Sequence, residues 1–159
     1  FAKLRARIPG LIIRTSVITG LPGEGEEEFA ELCEFLREQR LERVGAFPFS
    51  PEEGTPAAEM EHPDSDVAQQ RAQLVEMIQS SIMDDYNAGM IGKTMQVLVD
   101  GFDEEMEQFF GRTYADSPEI DGRVWLASEE PLAEGNFVTV RIDGCVDGEL
   151  SGYVLEDEV

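Results

Sequence analysis

A chain of 159 residues, 42% hydrophobic and 29% charged, suits one domain or two small ones and is too apolar for a disordered tail. No window approaches the roughly 18 consecutive apolar residues of a membrane span, and no apolar stretch follows the charged first residues as a signal peptide requires. Its 34 acids against 12 bases, net −22, repel phosphate backbones and attract cationic partners, although most such charge only solvates a surface.

The chain opens at Phe1 in mid-pattern, so it is expected to be part of a longer one. Residues 3–8 read as the end of a helix stopped by Pro9-Gly10. Leu11 to Thr19 is β-branched and apolar, which predicts a buried parallel strand. Arg14 is a charge within it and needs a partner. Gly20-Leu21-Pro22-Gly23 turns the chain into a helix over 24–40. Glutamates crowd its first turn, where they meet the positive end of the helix dipole, and Phe29, Leu32, Cys33 and Leu36 form its apolar stripe. Val44 to Ser50 is a second strand, and strand–helix–strand in this length is a parallel βαβ unit.

Pro51 to Pro56 is a loop. From Val67 to about Ala88, Val67, Arg71, Leu74, Ile78, Ile82 and Tyr86 recur every three or four residues, predicting a helix with that buried face and Gly89 as C-cap. From Ile91 the period changes to two. Strands are predicted at 95–99, 109–114, 124–126, 137–142 and 150–155, with a turn at Gly101-Phe102-Asp103 and a loop over 117–122. Five short strands between glycine-rich turns suggest a small closed barrel of the OB type. Residues 92–159 hold only Lys93, Arg112, Arg123 and Arg141 against 17 acids, a denser negative field than the rest of the chain carries.

Cys33 and Cys145 stand 112 residues apart in no ligand motif, and His62 is the only histidine, in a polar loop. Free thiols in a reducing compartment are expected, with no metal site. Asp84-Asp85, Asp103-Glu104-Glu105 and Glu129-Glu130 have neither EF-hand nor glycosidase spacing.

Three separated motifs, in order, resemble the radical-SAM methylthiotransferase family. Arg14-Thr15 through Ile18, Gly20, Pro22-Gly23-Glu24 and Phe29 is similar to its R-T-x-x-I-x-G-x-P-G-E-[ST]-x-x-x-F pattern, and Val44 to Thr55 to its next strand. Gly111 to Gly122 resembles the G-R-[ST]-x-x-[DE]-[AS]-P-E-[IV]-D-G run of the RimO branch, which methylthiolates an aspartate of the small-subunit ribosomal S-twelve protein. Gly25 departs from the usual Ser/Thr, Phe49 from Tyr, and Asp147-Gly148-Glu149-Leu150 from a Tyr-Asp-Leu; the Cys-x₃-Cys-x₂-Cys of the radical-SAM cluster is absent.

The resemblance implies an α/β plus all-β fold: the last βα units of a radical-SAM TIM-like barrel (1–60), a connecting helix (61–90) and a five-stranded OB-like TRAM β-barrel (91–158). It implies S-adenosylmethionine and two four-iron four-sulfur clusters in the full-length enzyme, with neither cluster ligands nor catalytic residues in this piece, which alone should be inactive. Thr19, Gly20, Pro22, Gly23, Phe47 and Phe49 would line the cofactor; equally, Pro-Gly turns the chain and the phenylalanines fill core. Arg112, Tyr114, Asp116, Glu119 and Asp121 would dock the basic ribosomal protein; a strand-bridging arginine and a buried tyrosine are equally ordinary. A monomer in the cytoplasm is expected, without membrane or direct nucleic-acid contact. The alternatives are a tRNA-adenosine methylthiotransferase, which should carry a more basic barrel, and an RNA-binding OB-like module, which should show a basic aromatic stripe.

Overall fold

The computed structural model describes residues 1–155; the expected end of the barrel at 158 lies outside them. The chain divides into two compact units, Phe1–Met83 and Asp84 onward, with the division inside one helix.

In the first unit, α1 (Ala2–Arg7) leads to β1 (Arg14–Thr19), α2 (Glu26–Gln39), β2 (Arg43–Pro48), a 3-10 turn (Pro56–Glu59) and α3 (Ser65–Ala88). β1 and β2 pair in parallel, Arg14 opposite Arg43 through Thr19 opposite Pro48, as the βαβ pattern predicts. β1 starts later than its apolar run because the Ile13 amide donates to the Glu42 carboxylate (2.9 Å) instead of to a strand. α2 begins where Glu28 accepts the Gly25 amide (2.9 Å) and stops at Arg40, whose φ of 46° leaves the helical region. Arg5 donates to the carbonyls of Gln39 (2.6 Å) and Arg40 (2.9 Å), which α2 leaves open at its end.

The core of this unit joins Phe29, Cys33 and Leu36 of α2 with Leu41, Ala46, and Ala72 and Val75 of α3. α2 and α3 thus cover one face of the sheet. Its other face is open: Arg14, Ser16 and Ile18 are exposed in alternation, Ile18 at 48% and its strand neighbour Phe47 at 57%. The strand expected to be buried is therefore exposed on one face, and Arg14 is a surface residue, because among the described residues the sheet has two strands and one covered side.

The buried stripe of α3 also differs from the expected one. Ala68, Arg71, Ala72, Val75, Gln79 and Ile82 face inward, whereas Leu74 is 47% exposed. Leu74 stands off the centre of that inward face, which Ala68, Ala72, Val75 and Gln79 occupy, and α3 approaches the Thr19-Gly20 loop closely at Ala68.

In the second unit, β3 (Thr94–Asp103), β4 (Gln108–Arg112), β5 (Val124–Ala127), β6 (Phe137–Val146) and β7 (Glu149–Val154) close into a barrel in the order β3-β4-β5-β7-β6. All pairs are antiparallel except β5 with β7, and β6 returns to β3 to close it, an OB-like arrangement. Val97, Val99, Val124, Leu126, Val140, Ile142 and Leu150 fill the interior. Gly111 lies where β4 crosses β3: a Cβ there would be 2.2 Å from the Leu98 carbonyl oxygen. The turn expected at 101–103 is strand instead. A bulge between Val99 and Gly101 carries β3 onward to Asp103, whose carboxylate accepts the amides of Glu105 (3.0 Å) and Met106 (3.1 Å) and makes the real turn. β6 likewise runs on past residue 142 through a bulge between Ile142 and Gly144 to the Asp147-Gly148 turn, where both φ angles are positive.

Candidate functional site

The C-terminal ends of β1 and β2 carry the Gly20–Glu24 loop, the position at which parallel βα units present ligand-binding loops. Thr19 is fully buried, and its hydroxyl donates to the Ala68 carbonyl (2.9 Å). Gly20 has φ +79°, and its amide donates to Glu24 Oε1 (2.8 Å). That same oxygen accepts from Arg71 Nη1 (2.8 Å), which also donates to the Glu24 carbonyl (3.0 Å). Arg71 Nη2 donates to Glu26 Oε1 (2.6 Å), and the guanidinium stacks on Phe29 at 5.1 Å. Burial disfavours the charge on Arg71, but the carboxylates of Glu26 and Glu24 outweigh it and its pKa is raised, so the guanidinium stays charged.

Thr19 and Gly20 therefore form the buried wall of this site. Leu21 and Gly23 are exposed and Pro22 half-buried; a Cβ on Gly23 would meet nothing within 4 Å. Phe47 lies beside Ile18 on the open face, its ring 3.4 Å from where a Gly45 Cβ would stand. Phe49 is half-buried, edge-on to His62 at 5.3 Å, and its amide donates to the Thr19 carbonyl (2.8 Å). An exposed apolar strand pair beside a glycine loop can take a flat, partly apolar ligand whose polar edge meets backbone groups. The hub of this site, Glu24 with Arg71, is not evident from local pattern. Glu24 reads as one of several first-turn acids and Arg71 as a member of a helical stripe, and the two stand 47 residues apart in sequence.

In the barrel, Arg112 pairs with Asp100 across β4 and β3. Tyr114, Asp116, Glu119 and Asp121 share one loop. Asp116 accepts from the Thr113 amide (3.0 Å) and hydroxyl (2.6 Å), and Asp121 accepts from the Ser117 amide (2.6 Å), so both carboxylates build the loop's turns. Tyr114, 70% exposed, and Glu119, with φ +62°, are presented outward, as is Ile120 at 76%. A second surface group escaped the sequence reading. Arg123 lies 4.2 Å from the Phe110 ring centroid and 5.6 Å from that of Trp125, and donates to Asp103 (3.2 Å); the Trp125 indole donates to Glu149 (2.6 Å). The i, i+2 spacing of Arg123, just before β5, and Trp125 within it was its available signal. Two of the barrel's four bases are thus committed to acids of the barrel itself.

Among the described residues, no group of three or more His, Cys, Asp or Glu is placed to hold a metal. Cys33 is buried, and burial pushes its thiol pKa up; Cys145 is half-buried. Among the described residues, no helix is long and apolar enough to cross a membrane.

A family profile described as the TRAM domain matches residues 91–155. Over 156 residues the chain is 40% identical to the ribosomal protein uS12 methylthiotransferase RimO of Clostridium botulinum (strain Hall), with 98% of this chain and 35% of that protein covered. It is 43% identical to the protein of that name from Anaeromyxobacter sp. (strain Fw109-5), covering 97% and 33%, and 38% identical to that from Acetivibrio thermocellus, covering 98% and 34%. The chain spans about a third of the length of these curated relatives. Along nearly its whole length the chain is similar to these RimO methylthiotransferases, and its residues 91–155 form a TRAM domain.

Proposed function

We propose that the chain is the C-terminal part of a cytoplasmic, monomeric radical-SAM methylthiotransferase that adds a methylthio group to an aspartate of a basic small-subunit ribosomal protein. The observation that carries this reading is the match along nearly the whole chain to proteins named for that reaction. The first unit contributes part of the S-adenosylmethionine cradle. The fit rests on the open space over Gly23 and the exposed Ile18 and Phe47 beside it, a glycine loop and an apolar platform of suitable chemistry for an adenosyl group. Pro22, Gly23 and Phe47 would meet the cofactor, Thr19 and Gly20 would hold the wall behind them, and Phe49 would support Thr19 through its backbone. When bound, S-adenosylmethionine supplies the methyl group and the adenosyl radical; the chain's own residues bind and orient it. The two iron–sulfur clusters would be held elsewhere in the longer protein.

The second unit docks the substrate protein. Its 4 bases against 17 acids in residues 92–159 oppose RNA and steer a lysine- and arginine-rich partner. Tyr114 and Glu119 are its outward contacts, while Arg112, Asp116 and Asp121 shape the surface that presents them. The test is mass spectrometry of the purified ribosomal protein and of tRNA after anaerobic incubation with the reconstituted full-length enzyme, S-adenosylmethionine, a sulfide source and reductant. The expected result is a methylthio group on one aspartate and none on tRNA adenosine; the opposite result would assign the chain to the tRNA-modifying branch.

A further inference from the structure

We infer that Arg71 of α3 is a positioning residue for the cofactor loop, acting through Glu24. The inference rests on the cofactor reading above and deepens it. A guanidinium at a site flanked by Ala68, Ala72 and Val75 is expensive to desolvate, and an apolar side chain would pack there without that cost. What Arg71 does instead is specific. It reaches the Glu24 carbonyl and carboxylate, the Glu26 carboxylate and the Phe29 ring, and every one of these groups lies in the segment that follows the Gly20–Gly23 loop.

Glu24 passes the restraint on. The carboxylate oxygen that takes Arg71 Nη1 also takes the Gly20 amide, so one atom ties the helix to the start of the loop. The same turn of α3 fixes the loop twice more, through the Thr19 hydroxyl on the Ala68 carbonyl and through the contact of Gly20 with Ala68. All these restraints lie on the inner side, and Leu21 and Gly23 are left exposed. The loop is therefore set before a ligand arrives, and the ordering cost of binding is reduced in advance. Without Arg71, the Glu24 carboxylate is left with the Gly20 amide against its own solvation, and the loop gains freedom that binding must remove.

The test uses the full-length enzyme and its variants R71Q, R71K and E26Q. Calorimetry gives the Kd for S-adenosylmethionine, hydrogen exchange reports residues 20–24, and steady-state kinetics separate KM for S-adenosylmethionine from kcat. R71Q is expected to weaken S-adenosylmethionine binding about tenfold, to raise KM with little change in kcat, and to speed exchange at 20–24 while residues 94–154 keep wild-type protection. R71K, which can satisfy one carboxylate but not the fork, should recover part of the loss. Should R71Q not fold, E26Q removes one exposed anchor of the same guanidinium and should weaken binding about two- to threefold. Wild-type affinity in a folded R71Q, or in E26Q where R71Q does not fold, overturns the inference alone. No binding of S-adenosylmethionine by the reconstituted wild-type enzyme overturns the cofactor reading beneath it.

Discussion

A Cβ placed on Gly20 would stand 2.4 Å from the Cβ of Ala68. Helix and loop therefore meet with no side chain on one of the two partners, and Gly20 also holds φ +79°, which other residues resist. The substitution G20A combines backbone strain with overpacking and is expected to cost about 2–4 kcal/mol of stability in the first unit. Urea unfolding of the 159-residue chain checks it; a loss below about 0.5 kcal/mol would mean that α3 does not press on this loop.

The same close packing sets which residues of α3 matter. V75A removes two buried methyl groups and should destabilise by about 2 kcal/mol, whereas L74A, on an exposed side chain, should change stability by less than about 0.5 kcal/mol. The apolar periodicity alone predicts the reverse, so the pair of midpoints decides between the two faces.

That reversal marks how far the sequence was legible. Hydrophobic period and turn residues place the strands of the βαβ unit, the long helix and the five barrel strands, because period and turn chemistry are local properties of the chain. Val140 and Ile142 alternate inward as their spacing requires. What the pattern misses depends on residues far apart. Arg71 reads as part of a stripe until Glu24 is beside it, Leu74 reads as core until α3 turns Ala68, Ala72 and Val75 inward, and β3 reads as ending at Val99 until the bulge carries it to Asp103. In the loop of residues 113–121 the residue types are evident from the motif, but Asp116 and Asp121 prove to hold turns, which only the folded loop shows.

The two units should differ in protection. β1 and β2 form a two-stranded sheet with an open face among the described residues, whereas every barrel strand is paired on both sides. Amide exchange in the isolated chain should be slower in the strands of 94–154 than in 14–48. Equal protection would mean that the first unit is stabilised by contacts beyond those described.

Asp103 makes the barrel's stability depend on acid. The Met106 amide, then the Glu105 amide and Arg123, hold its carboxyl pKa below the ordinary value of 3.8, against a smaller opposing effect of desolvation. A depressed folded-state pKa contributes stability that is present above the unfolded value and lost as pH falls through the folded one. The wild-type chain should therefore lose stability below about pH 4, and D103N should lose less over that window. Urea midpoints measured from pH 5 to pH 2.5 check this; parallel curves would show that Asp103 carries no such linkage.

The central claim is that the acidic barrel docks a basic protein and not RNA. Its most direct test is equilibrium binding of the 159-residue chain to the isolated uS12 protein, to tRNA and to an unrelated basic protein of similar charge, at low salt and at 1 M salt, where screening shortens the Debye length to about 3 Å. The charge reversal E119K changes an exposed residue without removing a turn-forming carboxylate, so it tests the surface while leaving the loop intact. The account predicts salt-sensitive binding to uS12 that exceeds binding to the control protein, weakens about three- to tenfold in E119K, and has no counterpart with tRNA. Tight tRNA binding, or uS12 binding indifferent to both salt and E119K, would contradict it.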